Sequence, residues 1–214
     1  MKLLRRPWLL LGGFYGLLVG SLALFVELAE DVYRKEGFAF DGAILAGFHR
    51  HQSPLGDALA LALTQTASPP AVILGVLALL LWAYRRRRPW PILLIFLGGS
   101  EALNLLAKVF FARSRPHLFP QLTPESDYSF PSGHTMASLA LVLALYWALE
   151  DRPALAAPAL LLGLAWALMV ASSRLYLQVH YPSDVLAGWA LTTAWFLGLR
   201  LVWRGQGAGP SGGR

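Results

Sequence analysis

The chain has 214 residues, 56% of them hydrophobic and 14% charged, with a mean hydropathy of +0.51. Soluble domains carry about 25% charged residues, so the composition excludes an ordinary water-soluble globule and calls for helices of about 20 apolar residues that cross a bilayer. The net charge of +6 does not mark a nucleic-acid binder, because the basic residues stand at the ends of apolar runs. The absence of cysteine excludes disulfides and thiolate metal sites.

Taken in chain order, the first predicted span runs from Trp8 to about Leu28. Basic residues precede it as they precede a signal peptide, but the apolar run from Trp8 to Val26 is long enough to span and is expected to be retained. A polar loop, Glu30 to Phe38, follows. Phe40 to Arg50, with Asp41 as N-cap and Ile44, Leu45 and Phe48 at helical spacing, is too short to span and reads as an interfacial helix. Asp57 to Thr66 is a second short apolar helix, broken from the next run by Pro69-Pro70. The second span, about Pro70 to Tyr84, ends at four arginines from Arg85. The third runs from Trp90 to about Phe111, followed by a polar loop from Ala112 to Phe130. The fourth is Pro131 to Leu149, the fifth Ala154 to Ser172, and the sixth Pro182 to Trp203. Trp8, Trp82, Trp90, Trp147 and Trp203 lie near span ends and read as interfacial anchors. The expected fold class is therefore all-α, a six-transmembrane-helix bundle with short interfacial helices on the outer face. It forms a single membrane-embedded domain over residues 1–204, with a Gly/Pro/Ser-rich disordered cytoplasmic tail over 205–214.

Charge orients the bundle. With the N-terminus cytoplasmic, the inside holds Lys2, Arg5, Arg6, Arg85 to Arg88, Arg152, Arg200, Arg204 and Arg214, eleven of the eighteen basic residues. Three of the seven outside, Lys108, Arg115 and Arg174, belong to the polar blocks described next. The remaining imbalance places both termini inside and makes the four-arginine run a topology anchor. The expected location is a cell (inner or plasma) membrane, with the reactive face extracytoplasmic.

Three polar blocks fall at that face: Lys108 with Arg115-Pro116, Pro131-Ser132-Gly133-His134, and Ser173-Arg174 with His180 and Asp184. Lys108, Arg115 and Arg174 are three cations with nothing nearby in sequence to neutralise them all, so an anion is expected among them, and arginine forks match phosphate oxygens. Pro131 suits the first turn of a helix. Ser132, Gly133 and His134 would then offer free backbone N–H groups at its positive end, and Gly133 lets the backbone approach closely. Pro182 sets His180 just before the last helix and Asp184 in its first turn. In this reading His180 is the nucleophile, Asp184 accepts from one ring nitrogen and aims the other at phosphorus, and His134 is the general acid. No metal or other cofactor is needed, and the surrounding cations oppose a divalent metal.

These three blocks resemble the signature of the type 2 phosphatidic acid phosphatase superfamily at all eleven positions, and the spacing within the first and third blocks agrees. The resemblance implies the same roles: His180 nucleophile, Asp184 orienter, His134 acid, and Lys108, Arg115, Ser132, Gly133 and Arg174 phosphate binders. It implies a membrane lipid phosphate or pyrophosphate as substrate. Within the superfamily the chain most resembles undecaprenyl pyrophosphate phosphatases, with phosphatidylglycerophosphate and phosphatidic acid as rival substrates. No nucleic-acid or protein partner is implied. The superfamily also includes vanadate-dependent haloperoxidases, so an oxidase is one alternative, and a non-catalytic lipid-phosphate binding or transport protein is another.

Six further residues have weaker signals. Glu101, Asn104 and Lys108 fall at i, i+3 and i+7 on one helix face, so Glu101 and Asn104 are expected to face protein and steady Lys108 or line the lipid-tail path. A structural hydrogen bond between helices is the alternative. His117 follows Arg115-Pro116 and is a candidate substrate contact. Arg113 is either an extra phosphate contact or a surface charge, and His49 and His51 read as solvated loop residues.

Overall fold

The computed structural model describes residues 7–207, which form eight α-helices: α1 (Pro7–Tyr33), α2 (Ala39–Arg50), α3 (Pro54–Gln65), α4 (Pro69–Arg85), α5 (Trp90–Phe111), α6 (Gly133–Ala148), α7 (Pro153–Tyr176) and α8 (Pro182–Gly207). Proline stands at the first or second position of α3, α4, α5 and α7, where the missing N–H breaks no helical bond. No strand occurs among the described residues.

Several boundaries differ from the sequence reading. Helix α1 runs on to Tyr33, absorbing part of the expected polar loop, because its polar end is supported by an i,i+4 pair between Arg34 and Glu30. Helix α3 begins at Pro54, capped by the Ser53 hydroxyl, which accepts the Gly56 N–H at 3.2 Å. Helix α2 is capped at Phe38, not Asp41; the Asp41 N–H bonds the Phe38 carbonyl, and its carboxylate is directed elsewhere. Helix α8 extends to Gly207, past the expected start of the tail; residues 208–214, the rest of that segment, and residues 1–6 with their basic cluster lie outside the described residues.

Four helices, α1, α5, α7 and α8, are long and apolar enough to cross a membrane; α3 and α4, bent by 44° at their junction, together make a fifth. Helix α6 has only 16 residues, about 24 Å of helix. The protein is a multi-pass membrane protein, and its described residues hold four or five such spans.

Helix α6 is the centre of the bundle, packed against α4, α5, α7 and α8. On its cytoplasm-facing end in the sequence reading, Phe96, Trp147 and Phe196 meet ring to ring at 5.4 to 6.5 Å. Trp147 is 1% exposed and carries the Arg200 guanidinium over its ring at 5.0 Å, so it belongs to the core and is not an interfacial anchor. In lipid, apolar burial brings little transfer gain, and close van der Waals fit holds helices together. Gly163 shows this fit: a Cβ there would stand 2.7 Å from the Val142 side chain, so α7 approaches α6 only because position 163 has none.

Between α7 and α8 the chain reverses through Leu177, Gln178, Val179 and His180, each no more than 1% exposed. Gln178 has φ 61°, the left-handed conformation that turns the chain, and its amide donates to the Leu45 carbonyl of α2 at 3.1 Å. This buried, tethered turn fixes His180.

Candidate active site

Helix α8 starts at Pro182, which leaves His180 on the turn and Asp184 in the first helical turn. The His180 ring is 1% exposed. Its Nδ1 lies 3.3 Å from Asp184 Oδ2, and its Nε2 lies 3.2 Å from Nη1 of Arg115. A guanidinium only donates, so Nε2 is the accepting nitrogen and the ring proton resides on Nδ1, facing Asp184. Asp184 Oδ2 also accepts the Tyr181 N–H at 2.9 Å. Burial, reinforced by the charges of Arg174, Arg115 and Lys108, pushes the imidazole well below its ordinary value of 6.5. His180 is thus neutral at neutral pH, with an unprotonated nitrogen inside a ring of cations.

Those cations come from separate elements. Lys108 ends α5, whose last turn closes on Ala112 in the left-handed conformation, with the Ala112 N–H on the Lys108 carbonyl. Arg115 lies in the 112–132 loop and also donates to the Val179 carbonyl at 2.7 Å. Arg174, at the end of α7, is 1% exposed and donates to Thr64 Oγ1 of α3 at 2.6 Å. His134 opens α6, makes no hydrogen bond among the described residues, and lies within electrostatic reach of Arg174, Arg115, Lys108 and His180. The structure therefore brings Lys108, Arg115, Arg174, His134, His180 and Asp184 into one cluster.

The cations are not left unneutralised. Asp127 accepts from Lys108 at 2.7 Å and from Arg115, and Glu125 accepts from Arg174 and lies 3.9 Å from Arg115. Burial opposes the charge of Asp127, but hydrogen bonds and charge from Lys108 and Arg115 outweigh it and hold its carboxyl below the ordinary carboxylate range. The sequence reading missed both acids, although they sit within the same loop as Arg115. They occupy donors of Lys108, Arg115 and Arg174 that a bound anion would compete for. Glu125→Gln and Asp127→Asn are each expected to lower KM for a lipid phosphate by about two- to fivefold, the worth of a half-exposed ion pair. Steady-state kinetics check this; a raised KM instead would show that the acids organise the cage more than they compete in it.

The helix of the second block begins two residues later than expected. Pro131 precedes the helix and Ser132 is the N-cap. The Ser132 N–H is not free but donates to the Asp184 carbonyl at 3.2 Å, while its hydroxyl accepts from Thr135 at 2.8 Å. Ser132 thus clamps α6 to α8. Gly133 stands against Asn104 and Lys108: an added Cβ would lie 3.2 Å from Asn104 Oδ1. Asn104, buried, donates to the Pro131 carbonyl at 3.1 Å, which fixes the loop beside Lys108.

Glu101 departs from expectation. It is exposed on the outer flank of α5 with Ala102, Leu105 and Leu106, and has no hydrogen bond or ion pair among the described residues. His117 is exposed and lines a 640 Å³ cavity of the 113–128 loop that Arg115, Glu125 and Asp127 share but neither His134 nor His180 reaches. His49 stacks on Phe119 at 4.1 Å and is half-buried instead of solvated. Arg113 is not a surface charge: it is 13% exposed and pairs with Asp41 and Asp184.

A helical membrane bundle that gathers two histidines, a carboxylate and three cations at one end defines a class of anion-binding membrane protein. Residues 88–207 match the family model of the PAP2 superfamily, and the chain belongs to that superfamily. It is 34% identical over 112 residues to phosphatidylglycerophosphatase B of Bacillus subtilis, covering 50% of this chain and 55% of that one. It is 35% identical over 130 residues to undecaprenyl-diphosphatase of Sulfolobus acidocaldarius, covering 56% and 58%. The chain thus spans little more than half the length of these relatives. A crystal structure of a transmembrane PAP2 type phosphatidylglycerolphosphate phosphatase from Bacillus subtilis superposes with a TM-score of 0.74 at 25% identity, over 88% of this chain and 96% of that one.

Proposed function

We propose that the protein hydrolyses a membrane lipid phosphate or pyrophosphate through a phosphohistidine, undecaprenyl pyrophosphate being the leading substrate and phosphatidylglycerophosphate or phosphatidic acid the rivals. The observation that carries this is the His180 imidazole, proton toward Asp184 and bare nitrogen against Arg115, inside a cage with Lys108 and Arg174. Nε2 attacks phosphorus; the bond to the leaving oxygen breaks as His134 gives that oxygen a proton. Water, deprotonated by His134, then attacks phosphorus, the N–P bond breaks, and phosphate departs. The cations offset the charge on the transferring group. The printed names of the relatives, a phosphatidylglycerophosphatase and an undecaprenyl-diphosphatase, agree with this substrate class.

The same reading makes residues 1–204 one domain and counts α6 as the fourth of six spans. Its ends need not reach water, because α4, α5, α7 and α8 surround it. Both termini are cytoplasmic, and the cage opens at the extracytoplasmic surface, as the distribution of basic residues favours.

The purified full chain is expected to release phosphate from undecaprenyl pyrophosphate, phosphatidylglycerophosphate or phosphatidic acid in detergent, at an unchanged rate in EDTA. Release from none of the three, or oxidation of halide by peroxide after loading with vanadate in its place, overturns the proposal.

A further inference from the structure

Asp41 lies on α2, outside the three signature blocks, and is 3% exposed. Its carboxylate does not cap its own helix. Oδ1 accepts the Ser183 N–H at 2.8 Å; Oδ2 accepts the Ser183 hydroxyl at 2.6 Å and Nη2 of Arg113 at 3.0 Å. Through Nη1, Arg113 donates to Ser183 Oγ at 2.8 Å and to Asp184 Oδ1 at 2.5 Å. Its guanidinium lies over the Tyr181 ring at 4.1 Å and faces Phe38 at 5.7 Å. The two oxygens of Asp184 are therefore divided: Oδ1 is held by Arg113, while Oδ2 faces His180 Nδ1 and the Tyr181 N–H. The chain of contacts runs from α2, through the 112–132 loop, to the start of α8.

We infer that Asp41 and Arg113 are positioning residues which, through Asp184, fix the aim and the basicity of His180. The inference rests on His180 being the nucleophile proposed above. One cation here serves two buried carboxylates. A guanidinium given wholly to Asp184 weakens the hold of that carboxylate on the Nδ1 proton; Asp41 draws part of its charge away and restores the hold. Bonds to both carboxylates also prevent Asp184 from rotating its plane away from the ring. The other charged or titratable groups facing His180 are Arg174 from α7, Arg115 from the loop, Lys108 from α5 and His134 from α6. Tyr181 lies against Arg113.

The two ends of the relay have opposite effects. Asp41→Asn leaves Arg113 to Asp184 alone, so His180 becomes less basic and the acid limb of kcat moves to lower pH. Arg113→Gln leaves the charge of Asp184 undiminished beside the imidazole, so the limb moves to higher pH. Both are expected to lower kcat by about ten- to a hundredfold, the loss seen when a partner that orients a metal-bound histidine is removed, while KM changes little because neither side chain belongs to the proposed phosphate cage. Asp41→Glu keeps the charge and is expected to keep the wild-type limb.

The test pairs pH–rate profiles on a water-dispersible short-chain phosphatidic acid with ¹⁵N-histidine NMR titration of His180 in detergent, run on the full chain and on each variant that elutes as a folded species. Limb and NMR midpoint displaced in opposite directions by Asp41→Asn and Arg113→Gln, with Asp41→Glu unmoved, is the expected result. Displacement in one common direction, no displacement, or an Asp41→Glu shift as large as that of Asp41→Asn overturns the inference. The NMR arm decides even if wild-type protein hydrolyses nothing, an outcome that would sink the catalytic reading separately.

Discussion

His180→Gln is expected to abolish phosphate release, by about 10⁴-fold or more, because glutamine of similar size has no nucleophilic nitrogen to carry the phosphoryl group. The substitution places an uncharged amide where a neutral imidazole stood, so folding is expected to survive and size-exclusion elution in detergent should be unchanged. Binding of the lipid head group should also survive, since Lys108, Arg115 and Arg174 remain, and a non-hydrolysed substrate should still protect the variant against thermal unfolding. The pH profile of the wild-type protein carries the same argument. The folded imidazole has a value well below 6.5, so protonation, which removes the lone pair, occurs only in more acidic solution. The acid limb of kcat/KM is therefore expected below pH 6.5. Retention of more than a tenth of the activity in His180→Gln would end the phosphohistidine proposal.

Arg115→Ala is the second large loss. Arg115 touches the nucleophile itself, holds the Val179 carbonyl beside it, and is among the cations that would face the equatorial phosphate oxygens. An arginine that stabilises charge on a transferring phosphoryl group contributes about 10³- to 10⁵-fold to kcat, and a loss near the lower bound is expected here because Lys108 and Arg174 remain. The loss should fall on kcat more than on KM, since the fork is matched to the transition state more than to the resting phosphate. Arg115→Lys is expected to restore only a small part, for a lysine cannot serve Val179, His180 and a phosphate oxygen from one fork. Single-turnover phosphate release separates the chemical step from binding; an equal rise in KM with kcat intact would reduce Arg115 to a binding residue.

The long spans, the breaks at proline and the three blocks were legible because each is encoded locally. Twenty apolar residues announce a span, Pro182 announces a helix start, and His180 and Asp184 are then placed by a single turn of helix. What was not legible depends on which surfaces meet. Asp41 looks like an ordinary first-turn acid until α2 is docked beside Ser183, 142 positions later in the chain. Glu125 and Asp127 look like loop acids until the loop folds back on the lysine and arginines. Glu101 shares its helix face with Lys108 in projection, but it stands at the edge of the stripe that α5 buries, Leu93, Leu97, Ser100, Asn104 and Lys108, and falls just outside it. Asn104 and Lys108 turn toward α6, whereas Glu101 lies on the open flank. Trp147 has an interfacial position in sequence, yet the helix it ends is the central one, and its neighbours enclose it.

The carboxylates of the 112–132 loop have a kinetic consequence. In the proposed cycle each turnover leaves inorganic phosphate held by one lysine and two arginines, a combination that favours retention of product. Glu125 and Asp127 are tethered on the same loop, at a local concentration no dissolved anion matches, and re-pair with those side chains as phosphate loosens. In that cycle the loop would act as an internal eluent, exchanging its own negative charge for that of the product and returning the protein to its starting form.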